Sequence, residues 1–182
     1  MKLFSAHGYE GTPLSAIAKE VGIKTPSLYA HFESKEKLYF AVYEEVQAEH
    51  VRKLEALIES VREEDTGTKL YTILSETCRN YLLDEEKAAF LKRAMLFPPS
   101  SLQDELQRRF MEAEKRQTAV YRSIFKAAIE EGSIAGRDAD DLLAAYYCLL
   151  DGSFVQMFYY GPDQFQQRLR SVWSIFWEGI AR

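Results

Sequence analysis

The sequence predicts an all-α fold, and three features of the chain lead to that prediction. Apolar residues recur at helical spacing almost everywhere, and no stretch alternates convincingly at the period of two residues that is typical of strands. Proline and glycine are sparse, at five and nine residues in 182. The longest apolar run, "LLAAYYCLL" at 142–150, is much shorter than the roughly 20 residues of a membrane span. The helices therefore belong to one large or two small folded domains.

Composition and cysteine usage are those of an ordinary folded protein from a reducing compartment. Hydrophobic residues make up 47% of the chain and charged residues 28%, far from the composition of disordered segments. Cys78 and Cys148 have no metal-binding spacing, so we expect two small core residues in a cytoplasmic protein. No apolar signal region argues for export, and nothing calls for a cofactor or a metal.

Two short helices joined by a glycine turn are predicted within the first forty residues. A first apolar turn ends at Gly8, and Thr12 followed by Pro13 is typical of a helix start. That helix ends at Gly22, and a second one follows at once with Ile23, Leu28 and Phe32 facing inward. Two short helices around a tight glycine turn form a helix-turn-helix, whose second helix enters the major groove of DNA in DNA-binding proteins.

The outward side chains of this second helix suit a DNA surface. Hydroxyls and flat apolar groups that can meet base edges and thymine methyls come from Thr25, Pro26, Ser27, Tyr29 and Ala30. Lys24, His31 and Lys35 flank them and suit phosphate contacts, and Ser34 is expected to cap the next helix. The alternative is a helix pair in an unrelated helical protein, with Tyr29 half-buried and Lys35 a solvated charge.

Six longer helices are predicted to follow, with capping or breaking residues at their ends. Their expected ranges are 34–62, 68–83, 84–97, 100–131, 138–160 and 165–180. Ser100 and Gln103 resemble a capping box, Gly132 is a stop signal, and Asp138 is an N-cap. Charge is slightly uneven along the chain: five lysines and four glutamates give residues 1–37 a net charge of +1, which leaves −6 for the remainder.

The segment "GYEGTPLSAIAKEVGIKTPSLYAHFESKEKL", at 8–38, resembles the DNA-binding motif of the TetR family of bacterial repressors. The shared positions are Gly8, Tyr9, Thr12, Ile17, Ala18, Gly22, Ile23, Leu28, Tyr29, His31, Phe32, Lys35, Glu36 and Leu38. The resemblance implies a homodimer that binds operator DNA through three N-terminal helices, at residues 1–45. It also implies a helical body at 46–182 that dimerises and binds a small effector.

The resemblance also assigns DNA-contacting residues. Base reading falls on Thr25, Pro26 and Tyr29, with Ser15 contributing from the preceding helix, and phosphate contacts fall on Thr12, Ser27, His31 and Lys35. Lys24 stands where family members often have a capping Ser or Thr. Residues 1–7 form a shorter first helix than the family's, so we expect N-terminal residues to be missing and apolar surface on the fourth helix to be uncovered.

Aromatic side chains of the body suggest an effector pocket and a dimer interface. The residues expected around an effector are Tyr81, Phe90, Arg93, Met95, Phe97, Phe125 and Tyr147. The alternative for each is ordinary packing, and the aromatic abundance favours an apolar or aromatic effector. The residues expected at the dimer interface are Gly152, Ser153, Gln156, Trp173 and Trp177. Large side chains nearly all round 142–160 indicate burial on two sides, which suits a helical bundle between two copies.

The expected function is that of a transcriptional repressor released from its operator by a small molecule. Two alternatives stay open: a DNA-binding dimer without an effector that structures the chromosome, and a helical ligand carrier. An enzyme is not expected, because the sequence has no paired Cys and His, no glycine-rich phosphate loop and no plausible nucleophile–base pair.

Overall fold

The computed structural model describes residues 1–182 except for the side chain of Arg116, and the described chain is built from α-helices. The helices are α1 (Lys2–His7), α2 (Leu14–Glu20), α3 (Thr25–Tyr29), α4 (Lys35–Ser60), α5 (Thr66–Leu83), α6 (Glu85–Leu96), α7 (Gln103–Glu130), α8 (Ala139–Gln156) and α9 (Pro162–Ile180). The only pairing of β type in the described part is an isolated bridge between Ile134 and Ala181. The all-α prediction is confirmed. None of the described helices has the length and apolar character of a membrane span.

Side-chain caps fix several helix starts where the sequence predicts them. The Asp84 carboxylate accepts a hydrogen bond from the Lys87 amide at 3.1 Å, and the Asp138 carboxylate accepts one from the Asp140 amide at 2.7 Å. The Ser34 hydroxyl accepts from the Lys37 amide at 3.1 Å. Each cap satisfies an amide that has no partner inside the helix, which explains why polar residues mark these starts.

Several helix ends differ from the prediction; α9, for example, begins at Pro162 instead of residue 165. α7 begins at Gln103, later than a capping box at Ser100 implies, because the chain first closes a turn in which the Leu102 amide donates to the Pro99 carbonyl. α8 ends at Gln156 instead of continuing to residue 159 or 160. Beyond it the Phe158 amide donates to the Val155 carbonyl, so the last turn tightens to the 3₁₀ pattern.

The chain packs as two compact units, and the first comprises Met1–Val51 and Asp84–Ala113. Its aromatic centre is Tyr39 of α4, whose ring lies 5.1 Å from Phe4 of α1, 5.3 Å from Tyr9 and 5.4 Å from Phe90 of α6. Burial raises the pKa of Tyr39 to about 12. The expectation of uncovered apolar surface on α4 is wrong, because its large side chains in this unit are buried.

The second unit comprises Arg52–Leu83 and Glu114–Arg182. Tyr146 of α8 is fully buried at its centre, where its hydroxyl donates to the Leu70 carbonyl at 2.7 Å. Cys78 is buried as predicted, but the prediction that Cys148 is a core residue is wrong, because Cys148 lies on the exposed face of α8. The boundary between a DNA-binding domain at 1–45 and a dimerising, effector-binding body at 46–182 stays a prediction. The division into packing units describes contacts and does not test where these functions lie.

Candidate nucleic-acid interface

The turn between α2 and α3 depends on glycine at position 22. Gly22 has φ of 75°, in the left-handed region where a side chain is strained. The Ile23 amide donates to the Ala18 carbonyl at 2.9 Å and closes the turn, while Ala18 and Leu28 are buried between the helices. Ile23 itself is 40% exposed, which corrects the expectation that it faces inward. The turn fixes the angle at which α3 leaves α2.

Most of the predicted DNA-contacting side chains, on α3, in the residues that flank it and at one position of α2, are exposed to solvent. The exposed members are Ser15, Lys24, Pro26, Ser27, Tyr29 and His31. Thr25 and Lys35 are half-buried. Tyr29 is 55% exposed although it is large and aromatic. An exposed aromatic flanked by hydroxyls and a lysine is a surface that suits base edges and phosphates.

Thr12 and Lys35 hold the domain together from inside. The Thr12 hydroxyl donates to the Gly8 carbonyl at 2.6 Å, and its side chain is buried. The Lys35 ammonium donates to the Tyr9 carbonyl at 2.8 Å and lies 4.3 Å from the centre of the Tyr9 ring. The structure thus gives Thr12 a packing role in place of the predicted phosphate contact, because the buried hydroxyl has no access to DNA.

The side chain of Arg93, on α6, reaches the end of α1. Its Nε donates to the Ser5 carbonyl at 2.8 Å and its Nη2 to the Ala6 carbonyl at 3.0 Å. The sequence predicts Arg93 at an effector pocket with an anionic partner. The structure corrects this expectation: the guanidinium is bound to two backbone carbonyls at the end of α1. Nothing in the sequence near Arg93 signals this contact, since its partners are 87 and 88 positions away.

The other predicted pocket residues do not form one site. In the first unit Phe90 is buried against Tyr39, Met95 is 37% exposed, and Phe97 is 72% exposed. In the second unit Phe125 is fully buried, so it serves as packing in the core. The remaining two, Tyr81 and Tyr147, are also in the second unit.

Tyr81 and Tyr147 have partners inside the second unit. The Tyr81 ring packs edge-on against Phe154, with 5.0 Å between ring centres. The Tyr147 hydroxyl lies 3.0 Å from the Thr118 hydroxyl, within hydrogen-bond distance. These contacts are internal packing, so the seven residues divide between the two units: four in the first and three in the second.

The predicted interface residues divide between a groove and a half-buried pair of stacked tryptophans in the second unit. Gly152, Ser153 and Gln156 line a groove of about 100 Å³ between α8 and α9. Trp173 and Trp177 instead stack on each other at 5.7 Å and are half-buried. The ring of Trp173 lies 5.6 Å from Tyr71, and a Cβ at Gly67 would come within 2.8 Å of the Trp177 ring.

The outer face of α9 carries apolar residues that the sequence reading missed. Val172 is 37% exposed and Ile175 is 74% exposed. With Arg168 and Gly179 they occupy positions i, i+4, i+7 and i+11, which is one helix face. That spacing is visible in the sequence, but the prediction places the interface at the neighbouring tryptophans, which lie on the opposite face of the helix.

Comparison with known proteins finds bacterial regulators that are similar to the helix-turn-helix segment. Residues 1–42 match the model for bacterial regulatory proteins of the tetR family. The biofilm operon negative transcriptional regulator IcaR of Staphylococcus aureus is 60% identical over 37 residues, 20% of either chain. The transcriptional repressor ComR of Escherichia coli is 52% identical over 42 residues, which are 23% of this chain and 20% of ComR. The chain thus matches about a fifth of the length of these curated relatives.

Solved structures share the fold over the full chain. FadR of Bacillus subtilis, in complex with stearoyl-CoA, superposes with a TM-score of 0.77 at 21% identity, over 98% of this chain and 94% of FadR. A transcriptional regulator of Saccharomonospora viridis in complex with choline gives 0.78 at 18% identity, over 100% and 93%. The chain therefore resembles the tetR family of bacterial regulatory proteins at residues 1–42, which are α1–α3 and the start of α4, and it shares the fold of these solved structures over its whole length.

Proposed function

We propose that the chain is a dimeric transcriptional repressor of the bacterial cytoplasm, bound to the nucleoid through its operator and released by a small molecule. The observation that carries the proposal is the exposed face of α3, where Tyr29 and neighbouring hydroxyls lie within the segment that resembles IcaR and ComR. Those two proteins are named as a negative regulator and a repressor of transcription.

In this proposal α3 lies in the major groove. Thr25, Pro26 and Tyr29 contact base edges, with hydroxyl hydrogen bonds and apolar contact to thymine methyls as the specific interactions. Ser27 and His31 lie on the same exposed side and contact phosphates, which set the register of the helix. The first turn of α4 adds backbone amides and the positive end of its helix dipole.

Two copies of α3 are needed for tight binding. One α3 offers few cations, so phosphate contacts per subunit are few and the affinity depends only weakly on salt. A dimer places two recognition helices about 34 Å apart, in successive major grooves. The exposed apolar face of α9, with the groove beside α8, is the surface that supports pairing of two chains.

Release by an effector follows from a difference in affinity between two conformations. An effector that favours a conformation with a different separation of the recognition helices lowers the affinity for operator, and the operator lowers the affinity for effector by the same factor. The solved relatives in complex with stearoyl-CoA and choline support a small molecule as the effector.

Substitution of Tyr29 tests the DNA-binding proposal. Fluorescence anisotropy would measure binding of wild type, Tyr29→Ala and Tyr29→Phe to a fragment from upstream of the protein's own coding sequence, with a scrambled fragment for comparison. We expect Tyr29→Ala to lose specific binding while it remains a dimer, and Tyr29→Phe to keep most of the binding because the ring stays. Equal affinity of wild type for the two fragments, or unchanged affinity of Tyr29→Ala, would contradict the docking of α3.

A further inference from the structure

A cavity of about 310 Å³ lies within the first compact unit, between α4, α6 and the first turns of α7. Side chains that define its character are those of Tyr43, Ala94, Met95, Gln103, Gln107 and Phe110. The volume is at the lower end of the roughly 300–1,000 Å³ of small-molecule sites. The cavity therefore has room for a compact ligand, and it shares a unit with the helix-turn-helix.

The lining is apolar at its base and carries neutral polar groups at its rim. Tyr43 and Ala94 are only 2% and 5% exposed. The amides of Gln103 and Gln107 are exposed, and each offers donors and an acceptor. Among the described residues that line the cavity, none carries a charge. An apolar base with a few convergent hydrogen-bonding groups is the usual character of a ligand site.

The cations nearest along α7 are Arg108 and Arg109, and both are already neutralised. Arg108 pairs with Glu105 at 2.6 Å and with Glu112 at 2.7 Å. Arg109 lies between the lining residues of α7, and its Nε is 2.7 Å from a Glu105 carboxylate oxygen. The same guanidinium pairs with Glu44 and lies 4.4 Å from the centre of the Phe40 ring. An anionic ligand would have to compete with two carboxylates for either cation, so the surroundings favour an uncharged occupant.

Helix α6 joins the cavity to the DNA-binding helices. Ala94 and Met95 line the cavity, and the adjacent Arg93 holds the carbonyls of Ser5 and Ala6 at the end of α1. One turn earlier on the same helix, Phe90 packs against Tyr39 at the aromatic centre of the unit. A molecule that shifts α6 at residues 94 and 95 therefore acts on α1 through Arg93, the residue that precedes Ala94.

We propose that this cavity binds a compact, uncharged molecule with an apolar body and one hydrogen-bonding group, and that its occupant alters the position of α1 through α6 and Arg93. The binding step stands on the cavity alone. The regulatory step rests on the proposed function, because it needs an operator whose affinity can change.

Three probes of nearly equal size separate the effect of charge from that of shape. Benzamide is neutral, benzoate is an anion, and benzamidinium is a cation. The chain has four methionines, of which Met95 lines the cavity and Met157 is buried in the second unit. NMR of the protein labelled with ¹³C-methyl methionine reports on the cavity through the Met95 signal, which the variant Met95→Leu assigns. The Met157 signal, from the second unit, is the internal control.

We expect benzamide to shift the Met95 signal saturably and to leave Met157 unchanged. Benzoate and benzamidinium should bind at least about tenfold more weakly, the factor that corresponds to 1.4 kcal/mol. Gln107→Trp should abolish the Met95 shift by filling the rim, whereas Gln164→Trp, at an exposed position of α9, should preserve it. No saturable shift with benzamide, an equal response to benzoate, or a shift that survives in Gln107→Trp would overturn the site.

Operator binding tests the regulatory step in the same samples. Saturating benzamide should weaken operator binding by about fivefold or more, the lower end of typical couplings between sites, and should have no effect in Gln107→Trp. Unchanged operator affinity at saturation overturns the action through α6. Absence of operator binding without any probe refutes the proposed repressor, and the NMR result on the cavity stands apart from it.

Discussion

The guanidinium of Arg93 caps the end of α1 through Ser5, with 2.8 Å between its Nε and the Ser5 carbonyl oxygen, and the Ala6 carbonyl accepts a second bond at 3.0 Å. Carbonyls in the last turn of a helix have no partner within it, and a cation there also interacts favourably with the helix dipole. α1 has six residues, too few for an isolated helix to be stable in water. Its helical state therefore depends on contacts such as this one.

Arg93→Met should loosen α1 while it keeps the apolar stem of the side chain. We expect a loss of about 1 kcal/mol in the free energy of unfolding, the net value of a typical hydrogen bond, because this side chain is partly solvated. The Gly8 amide, bonded to the Phe4 carbonyl, should exchange with solvent faster, and operator affinity should fall. Arg79→Met, at an exposed position of α5, is the matched control. Equal exchange at Gly8 in both variants would contradict the capping role.

Thr12→Val tests whether this residue serves packing. Valine keeps the shape of threonine and removes the hydroxyl that donates to the Gly8 carbonyl at 2.6 Å. Leaving a buried acceptor without its donor costs about 1–3 kcal/mol, and the Gly8 carbonyl is only partly buried, so urea unfolding should report a loss of about 1 kcal/mol. Thr12→Ser keeps the hydroxyl and should lose less. If Thr12→Val were as stable as wild type but bound operator poorly, the phosphate role would be supported instead.

Local chemistry explains which parts of this fold the sequence could predict. Asp84 and Asp138 cap helices because the acceptor and the amide are neighbours along the chain, so the pattern is visible without the fold. Gly22 is similar, since its positive φ is a property of one turn. The helix-turn-helix could be predicted for the same reason: its spacing lies within one continuous segment.

Long-range placement explains what the sequence could not predict. Arg93 binds carbonyls 87 and 88 residues earlier in the chain, and no periodicity records that proximity. The apolar run of α8 indicates burial on two sides but does not identify the exposed side, so it wrongly predicts that Cys148 is a core residue. A cavity formed by α4, α6 and α7 is likewise a property of packing among three segments.

The network of Asp84, Lys87 and Glu49 should make stability depend on pH in the acid range. The Lys87 ammonium lies 2.6 Å from Glu49 and 2.9 Å from Asp84. Burial acts to raise the pKa of Asp84, but hydrogen bonds from the Lys87 side chain and amide outweigh it and lower the pKa below 3.8. A lowered pKa stabilises the folded state above pH 3.8, and that stabilisation is lost as pH falls through the folded pKa.

Asp84→Asn should therefore destabilise the protein at pH 6 and cease to do so in stronger acid. Asparagine still caps α6, so only the charge is removed, and we expect at most about 1 kcal/mol for a partly exposed pair. Urea unfolding at pH 6, 4 and 3 measures the difference from wild type. In a Lys87→Met background the same substitution should have little effect at any of these pH values. A difference that grew toward pH 3 would contradict the direction of the shift.

Ile175→Glu tests the proposed dimer face against a residue of equal exposure. Ile175 on α9 and Leu83 at the end of α5 are both 74% exposed, so either substitution adds a carboxylate at a solvated position with similar cost to the free chain. Only Ile175 lies on the helix face that also carries Val172, beside the groove of α8. Burying an unpaired charge between two subunits is costly, so we expect Ile175→Glu alone to prevent association.

Sedimentation equilibrium distinguishes the outcomes, because the chain mass is 21.0 kDa and a dimer has twice that mass. Leu83→Glu should sediment as a dimer and Ile175→Glu as a monomer. Cys148 lines the same groove as Val172, so a thiol reagent should label it faster in Ile175→Glu than in wild type. Burial raises the pKa of Cys78 to about 12, which keeps that thiol unreactive in both and leaves Cys148 as the reporter. If both variants dissociated, the effect would be one of added charge, whereas two intact dimers would place the interface on another face.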